Sequence, residues 1–210
     1  MGFEAQYEPR CYLSGEVQMR ADNWHDLFNA LVWLTFPKAK AAINARHFHA
    51  LSNHSDPHDS QRGRVRDMAT LLDESGVIVV SANMELVELL RTFQWKDLFW
   101  QHREQVCAEM GFYIFGHGLY EKSLRPYVGM TGQGLSVKVE QKFFSWNLPD
   151  RLAYLDECVA DYLNRPEHCK TTSELHPVPL LGVPGWVEGN HTDSYYDNTE
   201  YFRAGRRNLK

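Results

Sequence analysis

Two short segments of the sequence each place a histidine and a second polar side chain on one face of a predicted helix. His25 and Asn29, in the segment WHDLFN, are four positions apart, and so are His117 and Glu121, in the segment FGHGLYEK. Side chains at this spacing lie one helical turn from each other. A histidine and a carboxylate in this arrangement suit a divalent metal ion or acid–base catalysis. The predicted catalytic residues are His25, Asp26, His117 and Glu121.

A divalent metal ion is the cofactor that these side chains would hold, with His25, His117 and Glu121 as the predicted ligands. Three protein ligands leave a coordination position open for water, as in catalytic zinc sites. Without a metal, His117 or Glu121 would act as the general base. In a structural alternative, Asp26 stabilises its helix N-terminus and His25 donates to a carbonyl group. His117 then caps a helix, Glu121 is exposed, and the cofactor stays unknown.

Four further residues form a predicted substrate-binding set. Arg66 offers a planar guanidinium that binds carboxylate or phosphate groups, although it would serve equally to pair with a nearby acidic side chain. Asp73 and Glu74 precede the β-branched run VIVV, which predicts a buried strand. A turn at DESG explains the same two carboxylates without any function. The predicted substrate-binding residues are Arg66, Asn29, Asp73 and Glu74.

A histidine-rich stretch is a weaker candidate for metal binding. His47, His49, His54 and His58 lie in or beside the polar segment 49–63, and their spacing matches no closed structural zinc pattern. Polar segments rich in histidine also bind metals adventitiously.

The sequence lacks the glycine-rich dinucleotide and phosphate-loop motifs, the nucleophile elbow and the zinc-protease motif.

The composition is that of an ordinary globular chain and disfavours several classes of partner. The chain has 210 residues, of which 43% are hydrophobic and 23% are charged. A net charge of −5 with scattered basic residues argues against nucleic acid as the partner. Four cysteines without framework spacing, a start without an apolar signal region and the lack of a long apolar segment predict a soluble cytoplasmic protein without membrane association. A small-molecule ligand is the expected partner, and the oligomeric state stays open.

Hydrophobic periodicity predicts an α+β fold, in which a mostly helical single domain packs around a small sheet. Predicted helices cover residues 24–35, 37–48, 64–72, 84–92, 96–110 and 149–163, and predicted strands lie near 77–81, 112–116 and 135–144. The single domain would span residues 1–210. It would have an irregular start at 1–20 that points to truncation, a mobile polar loop at 49–63 and a Pro/Gly-rich tail at 165–210 that packs on the body.

Three segments resemble a family of bacterial conserved hypothetical proteins that is catalogued as a domain of unknown function. They are residues 24–45 (WHDLFNALVWLTFPKAKAAINA), 66–81 (RDMATLLDESGVIVVS) and 115–126 (FGHGLYEKSLRP). The resemblance runs from Tyr7 to the segment YFR at 201–203. It implies a proteobacterial cytosolic protein of about one domain whose native chain extends further at the N-terminus. It carries no activity, cofactor or site residue with it.

Two functional hypotheses follow from the sequence. In the first, the protein is a small-molecule enzyme with a His/Asp/Glu pocket and metal-dependent hydrolytic chemistry. In the second, it is a non-catalytic binding or assembly protein whose buried polar residues form a structural hydrogen-bond network. A concave pocket with partly exposed polar groups and shifted pKa values would favour the enzyme. A sealed network with every polar group satisfied would favour the structural alternative.

Overall fold

The structure of the protein is a computed structural model that describes residues 2–52 and 60–205, except for the side chains of Ala5 and of residues 60–66. The α-helices are α1 (Tyr7–Ser14), α2 (Trp24–Thr35), α3 (Pro37–Ser52), α4 (Ser60–Ser75), α5 (Met84–Arg91), α6 (Arg103–Glu109), α7 (His117–Ser123) and α8 (Leu148–Asn164). The strands are β1 (Gly76–Ser81), β2 (Met110–Ile114), β3 (Thr131–Lys138) and β4 (His176–Pro179). None of the described helices is long and apolar enough to cross a membrane.

The four strands form one mixed sheet in the order β2-β1-β3-β4. β1 pairs parallel with β3, whereas β1 with β2 and β3 with β4 pair antiparallel. The β-branched run of β1 is buried along its whole length, which is the pattern of a strand that is covered on both faces. Successive side chains alternate, so Ile78 and Val80 face one core cluster while Val77 and Val79 face the other.

Helices and irregular segments cover the two faces of this sheet. On the face of Ile78, apolar residues of α2, α3, α4 and α8 form the first core cluster. On the face of Val77, α5, a π-helical turn at Asp97–Gln101, α6 and the C-terminal segment form the second cluster. The sequence-based α+β class, mostly helical around a small sheet, is therefore confirmed.

The helices that approach the sheet from the first face are fixed by polar contacts at their N-termini. The Asn23 side chain caps α2 by accepting a hydrogen bond of 2.9 Å from the Asp26 backbone N–H. The first turn of α3 has no such residue of its own. Instead, the buried carboxylate of Asp156 on α8 accepts from the backbone N–H groups of Lys38 and Ala39 at 3.0 and 2.8 Å. This contact satisfies otherwise unpaired donors and sets α3 against α8.

Glycines allow the start of α7 to lie directly against the end of α4. A Cβ atom at Gly116 would stand 2.4 Å from the backbone N of Gly76 and 2.5 Å from that of Ser75. A Cβ atom at Gly118 would stand 2.7 Å from Oε2 of Glu74. Because α4 continues into β1 without a loop, this approach brings the first residue of α7 beside the last turn of α4.

The structure corrects several predicted elements. Residues 1–20 are not irregular throughout, since α1 and a short 3-10 helix (Phe3–Ala5) lie within them. The predicted loop 49–63 is wrong at both ends, where α3 continues to Ser52 and α4 begins at Ser60, and residues 53–59 lie outside the described part. Residues 73–75 of the predicted turn at 73–76 belong to the last turn of α4, and Gly76 begins β1. The strand predicted at 135–144 begins at Thr131, ends at Lys138 and is followed by a 3-10 helix.

The segment after α8 contributes the fourth strand and much of the second core cluster. The sequence did not predict β4, because two of its four residues are proline, and proline is tolerated there only because β4 lies at the edge of the sheet. Val178, Val183 and Phe202 are buried. Trp186, expected to pack with them, is 41% exposed.

Substituting Gly116→Ala tests the contact between α7 and the α4–β1 junction. Gly116 has an ordinary φ of −66°, so the added methyl group acts only through its clash with backbone atoms. We expect the free energy of unfolding to fall by about 1–3 kcal/mol in urea titrations. At Gly189 the same methyl group would meet ring atoms at 3.5 Å, and Gly189→Ala should change stability by less than about 0.5 kcal/mol. Equal effects of the two variants would contradict the close approach.

Candidate metal centre

A polar cavity of about 510 Å³ opens between α1, α2, α4 and the start of α7. The irregular segment that connects α1 to α2 lines one side through Gln18 and Arg20. The other residues that line the cavity are Tyr7, Glu8, His25, Asp26, Asn29, His47, Thr70, Asp73, Glu74 and His117. The α2 and α7 segments singled out from the sequence therefore meet at one cavity, together with the carboxylates at the end of α4.

Three side chains in this cavity point their ligand atoms at a common centre. The Nε2 atoms of His25 and His117 are 3.0 Å apart. The Oε1 atom of Glu74 lies 3.7 Å from Nε2 of His25 and 3.5 Å from Nε2 of His117. Among the described residues, these three form the group of histidines and carboxylates whose ligand atoms lie within 4.8 Å of one another.

The separations fit a first-row divalent metal ion. A point equidistant from three atoms separated by 3.0, 3.5 and 3.7 Å lies about 2.0 Å from each of them, which is the length of zinc bonds to imidazole nitrogen and carboxylate oxygen. The His117 side chain is 6% exposed, whereas those of His25 and Glu74 are 33% and 43% exposed. The centre is thus anchored on a buried histidine and faces the cavity through the other two groups.

The other ring nitrogen of each histidine lies near a second carboxylate. Nδ1 of His25 is 3.0 Å from Oε2 of Glu121, and Nδ1 of His117 is 3.8 Å from Oδ2 of Asp73. Histidines that bind metal through one nitrogen commonly donate the proton on the other to a carboxylate, which fixes their tautomer and orientation. The site therefore contains two carboxylate–histidine pairs, Glu121 with His25 and Asp73 with His117. The Nε2 atoms of both histidines face the centre.

The surroundings of His117 favour the tautomer that leaves Nε2 without a proton. Its Nδ1 atom is buried and has no hydrogen-bond partner within the described part of the chain. If Nε2 of His117 donated to His25, Nδ1 would be unprotonated and would direct its lone pair at the Asp73 carboxylate. Burial lowers the pKa of His117, against the raising effect of Asp73, and so disfavours a doubly protonated ring. With Nδ1 protonated toward Asp73, the free lone pair on Nε2 is available to a metal.

A buried lysine holds Asp73 in place. Lys40, on α3, is 2% exposed, and its ammonium group donates to Oδ1 of Asp73 and, at 2.8 Å, to Oδ1 of Asn29. It also lies 5.6 Å from the ring centroid of Trp33, within the range of a cation–π contact. Nδ2 of Asn29 then donates to the hydroxyl oxygen of Tyr7 at 2.7 Å. A continuous polar chain thus runs from α4 through α3 and α2 to α1.

Asp26, predicted to be catalytic, is instead saturated by its neighbours. Its carboxylate accepts three hydrogen bonds of 2.8 Å from Arg20, two from the guanidinium and one from the backbone N–H. These contacts hold the pKa of Asp26 far below its ordinary value, with the Arg20 side chain as the largest cause. Such a group is a poor proton acceptor near neutral pH. The pair attaches the segment before α2 to the first turn of α2.

The predicted site residues therefore take different positions relative to the cavity. His25, His117, Asn29, Asp73 and Glu74 meet at the cavity. Glu121 contacts Nδ1 of His25 rather than the two Nε2 atoms, and Glu74, predicted to bind substrate, lies beside both Nε2 atoms. The Arg66 side chain lies outside the described part of the structure, although its backbone belongs to α4.

The histidine-rich stretch contributes little to the centre. His47 lines the cavity, with Nε2 3.5 Å from Oγ1 of Thr70. His49 is exposed and contacts the ring of Tyr12. His54 and His58 lie outside the described residues.

Sequence reasoning missed Lys40, Tyr7 and Arg20. Lys40 lies among four alanines that were interpreted only as a surface for close helix packing, and Tyr7 and Arg20 lie in or next to the segment expected to be irregular. One signal was available for Lys40. At helical spacing it shares a face with the buried residues Ile43 and Asn44, and a lysine on a buried face requires a charged partner.

Fold and site together define an α+β protein with a two-histidine, one-glutamate cluster beside a polar cavity. The chain matches, over residues 1–206, the family model described as "Protein of unknown function (DUF3025)" and belongs to that family. No curated protein and no solved structure matches it.

Substituting Lys40→Met tests whether the buried ammonium group supports the site. The change leaves the Asp73 carboxylate, 19% exposed, without its counter-charge, and we expect a loss of unfolding free energy on the order of 3 kcal/mol. Lys38→Met removes an exposed ion pair with Glu157 and should have little effect. Adding Asp73→Asn to Lys40→Met should restore part of the loss. Similar denaturation midpoints for Lys40→Met and Lys38→Met would exclude the supporting role.

Proposed function

We propose that the protein is a metal-dependent hydrolase that acts on a small molecule, with His25, His117 and Glu74 as metal ligands. The observation that carries the proposal is the convergence of three ligand atoms at separations of 3.0–3.7 Å on the edge of an open polar cavity. Two histidines and one glutamate form a ligand set of catalytic zinc sites. A fourth position on the cavity side would be left for water or substrate.

The bound metal would supply a Lewis acid and lower the pKa of a water molecule to about 7. The residues of the chain supply its geometry. His117 anchors the ion from the protein interior, while His25 and Glu74 reach it from the cavity wall. Glu121 would orient the His25 imidazole through its Nδ1 atom, and the Asp73 carboxylate faces Nδ1 of His117 at 3.8 Å. Lys40 holds the Asp73 carboxylate in position.

The size and lining of the cavity support a small-molecule substrate. Its volume of about 510 Å³ falls within the range of about 300–1,000 Å³ that small-molecule sites occupy. Its polar lining suits a ligand that makes several hydrogen bonds. An open cavity of this kind also gives substrate access to the exposed side of Glu74 and His25.

The alternative, a purely structural hydrogen-bond network, accounts for only part of these contacts. Lys40, Asn29 and Asp73 are paired with one another and fit that interpretation. The His25–His117–Glu74 cluster does not fit it, because it is open to the cavity and turns three ligand atoms to one point. The cluster therefore favours binding chemistry.

Elemental analysis of tag-free protein after dialysis against a low zinc concentration tests the metal ligands. We expect about one zinc ion per chain in the wild type, since three donors converge. His25→Ala, His117→Ala and Glu74→Gln should lose the ion. Glu121→Gln should keep it with an affinity lowered by about 10–100-fold, because Glu121 only orients His25.

His191→Ala is the matched control, since His191 is exposed and lies outside the cavity lining; it should bind like the wild type. Added zinc should also raise the melting temperature of the wild type and of this control, but not of His117→Ala. Absence of metal from the wild type would overturn the proposed function. Normal zinc content in Glu74→Gln with loss in Glu121→Gln would mean that Glu121 is the metal ligand and Glu74 the orienting residue.

Hydrolytic activity should depend on the same ligands. A panel of chromogenic carboxylic esters, anilides and phosphate esters, measured with the zinc-loaded wild type, is expected to reveal at least one cleaved class. Glu74→Gln should lower its rate by on the order of 100-fold, because the metal contributes several kcal/mol to the transition state. The His191→Ala control should keep full activity. Turnover that survives complete zinc removal would contradict a metal-dependent reaction.

A further inference from the structure

Hydrogen-bond direction along the Lys40–Asn29–Tyr7 chain is fixed by its first member. An ammonium group is only a donor, so the Asn29 atom that faces Lys40 at 2.8 Å must be the carbonyl oxygen. The amide NH₂ group of Asn29 therefore faces Tyr7, and it donates to the hydroxyl oxygen at 2.7 Å. An amide NH₂ group accepts no hydrogen bond. The phenolic proton of Tyr7 must accordingly point away from Asn29.

The structure leaves this proton free for a ligand. Tyr7 lines the same cavity as the three metal ligands, and no side chain of the described residues accepts from its hydroxyl group. Burial raises the pKa of the phenol, opposed in part by the Asn29 hydrogen bond, so Tyr7 stays protonated and remains a donor at neutral pH. Donation from Asn29, itself polarised by the Lys40 charge, strengthens the outgoing hydrogen bond.

The position of the Tyr7 hydroxyl group is also well fixed. α1 packs on α3, where Nδ2 of Asn44 donates to the carbonyl oxygen of Glu8 at 3.0 Å. Asn29 lies one turn after His25 on α2, so the Tyr7 donor and the metal ligand His25 are held by the same helix. A preorganised donor in the same cavity as a metal ion suits an oxygen atom that gains negative charge during reaction.

We propose that Tyr7 donates its hydrogen bond to the carbonyl oxygen of the substrate, and that the substrate class is a carboxylic ester, lactone or amide. The inference rests on the proposed metal-dependent hydrolysis. The water oxygen bonds to the carbonyl carbon, and the C=O π electron pair moves onto the oxygen that faces Tyr7. That pair then re-forms the carbonyl as the bond to the alcohol or amine leaving group breaks. The two protons of water end on the leaving group and on the carboxylic acid product.

The charges of the described cavity favour a carbonyl over a phosphate group. A phosphate ester brings permanent negative charge and is held by several cationic donors. Arg20 is the cation among the described lining side chains, and its guanidinium group is committed to Asp26. Lys40 is committed to Asp73 and Asn29 behind the cavity wall. The neutral Tyr7 hydroxyl group donates one hydrogen bond, which suits an oxygen atom that is uncharged in the ground state.

Acetohydroxamate, which chelates zinc through two oxygens and presents one of them as a carbonyl, is the probe for Tyr7. We expect Tyr7→Phe to keep about one zinc per chain and to bind acetohydroxamate about 10-fold more weakly than the wild type, the value of one lost hydrogen bond. Tyr12→Phe is the control, because Tyr12 is on the same helix, is 42% exposed and stacks on Phe48. It should bind both zinc and probe like the wild type. Titration calorimetry of acetohydroxamate into zinc-loaded protein measures the affinity of both variants.

Equal acetohydroxamate affinity of the wild type and Tyr7→Phe, with zinc retained in both, would overturn the role of Tyr7 and leave the metal site intact. Lack of zinc in the wild type would overturn the proposed function and this inference with it. If Tyr7→Phe does not fold, a crystal structure of the zinc-loaded wild type with acetohydroxamate decides. A carbonyl oxygen within about 3.2 Å of the Tyr7 oxygen supports the proposal. A longer separation, without contact between them, overturns it.

Discussion

The pairing of the Lys40 ammonium group with the Asp73 carboxylate is the interaction on which the candidate site depends. Both groups are largely buried, and an ion in such a place is tolerated only with a partner and further hydrogen bonds. Lys40 obtains these from Asp73 and from Asn29, and it contacts the face of Trp33. The pair joins α3 to α4, while the Asn29 contact brings in α2. Three helices that surround the cavity are therefore held in one arrangement by a single charge.

The end of α4 places two consecutive carboxylates in different roles. Asp73 turns toward Lys40 and Nδ1 of His117, whereas Glu74 turns toward both Nε2 atoms. This division is possible because α4 continues into β1 and the glycines at 116 and 118 admit α7 against it. A larger residue at either glycine would separate His117 from both carboxylates. The fold thus sets the candidate metal centre at a helix–strand junction rather than on a loop.

Much of the fold was accessible from the sequence, and so were the two histidines. Periodicity predicted α2, α5, α8 and β1 because each has a complete apolar pattern of its own. The parallel pairing of β1 with β3 was not predictable, since it depends on contacts between distant segments. The edge strand β4 was missed because its prolines argue against a strand when read locally. The sequence pointed to Glu121 because helical spacing relates it to His117 along one helix. The separation of 3.5 Å between Glu74 and Nε2 of His117 joins two helices and cannot be predicted from local spacing.

The three proposed ligands come from α2, α4 and α7, which are separated by several dozen residues in the chain. An unfolded chain has no local segment that would gather them, so the ion would bind the native state almost exclusively. Metal occupancy and folding are then thermodynamically linked, and the stabilisation of the native state rises with the logarithm of the free ion concentration above the dissociation constant. In a cell, the abundance of the folded protein would follow the supply of its metal, even where the remote second core cluster makes no contact with the ion.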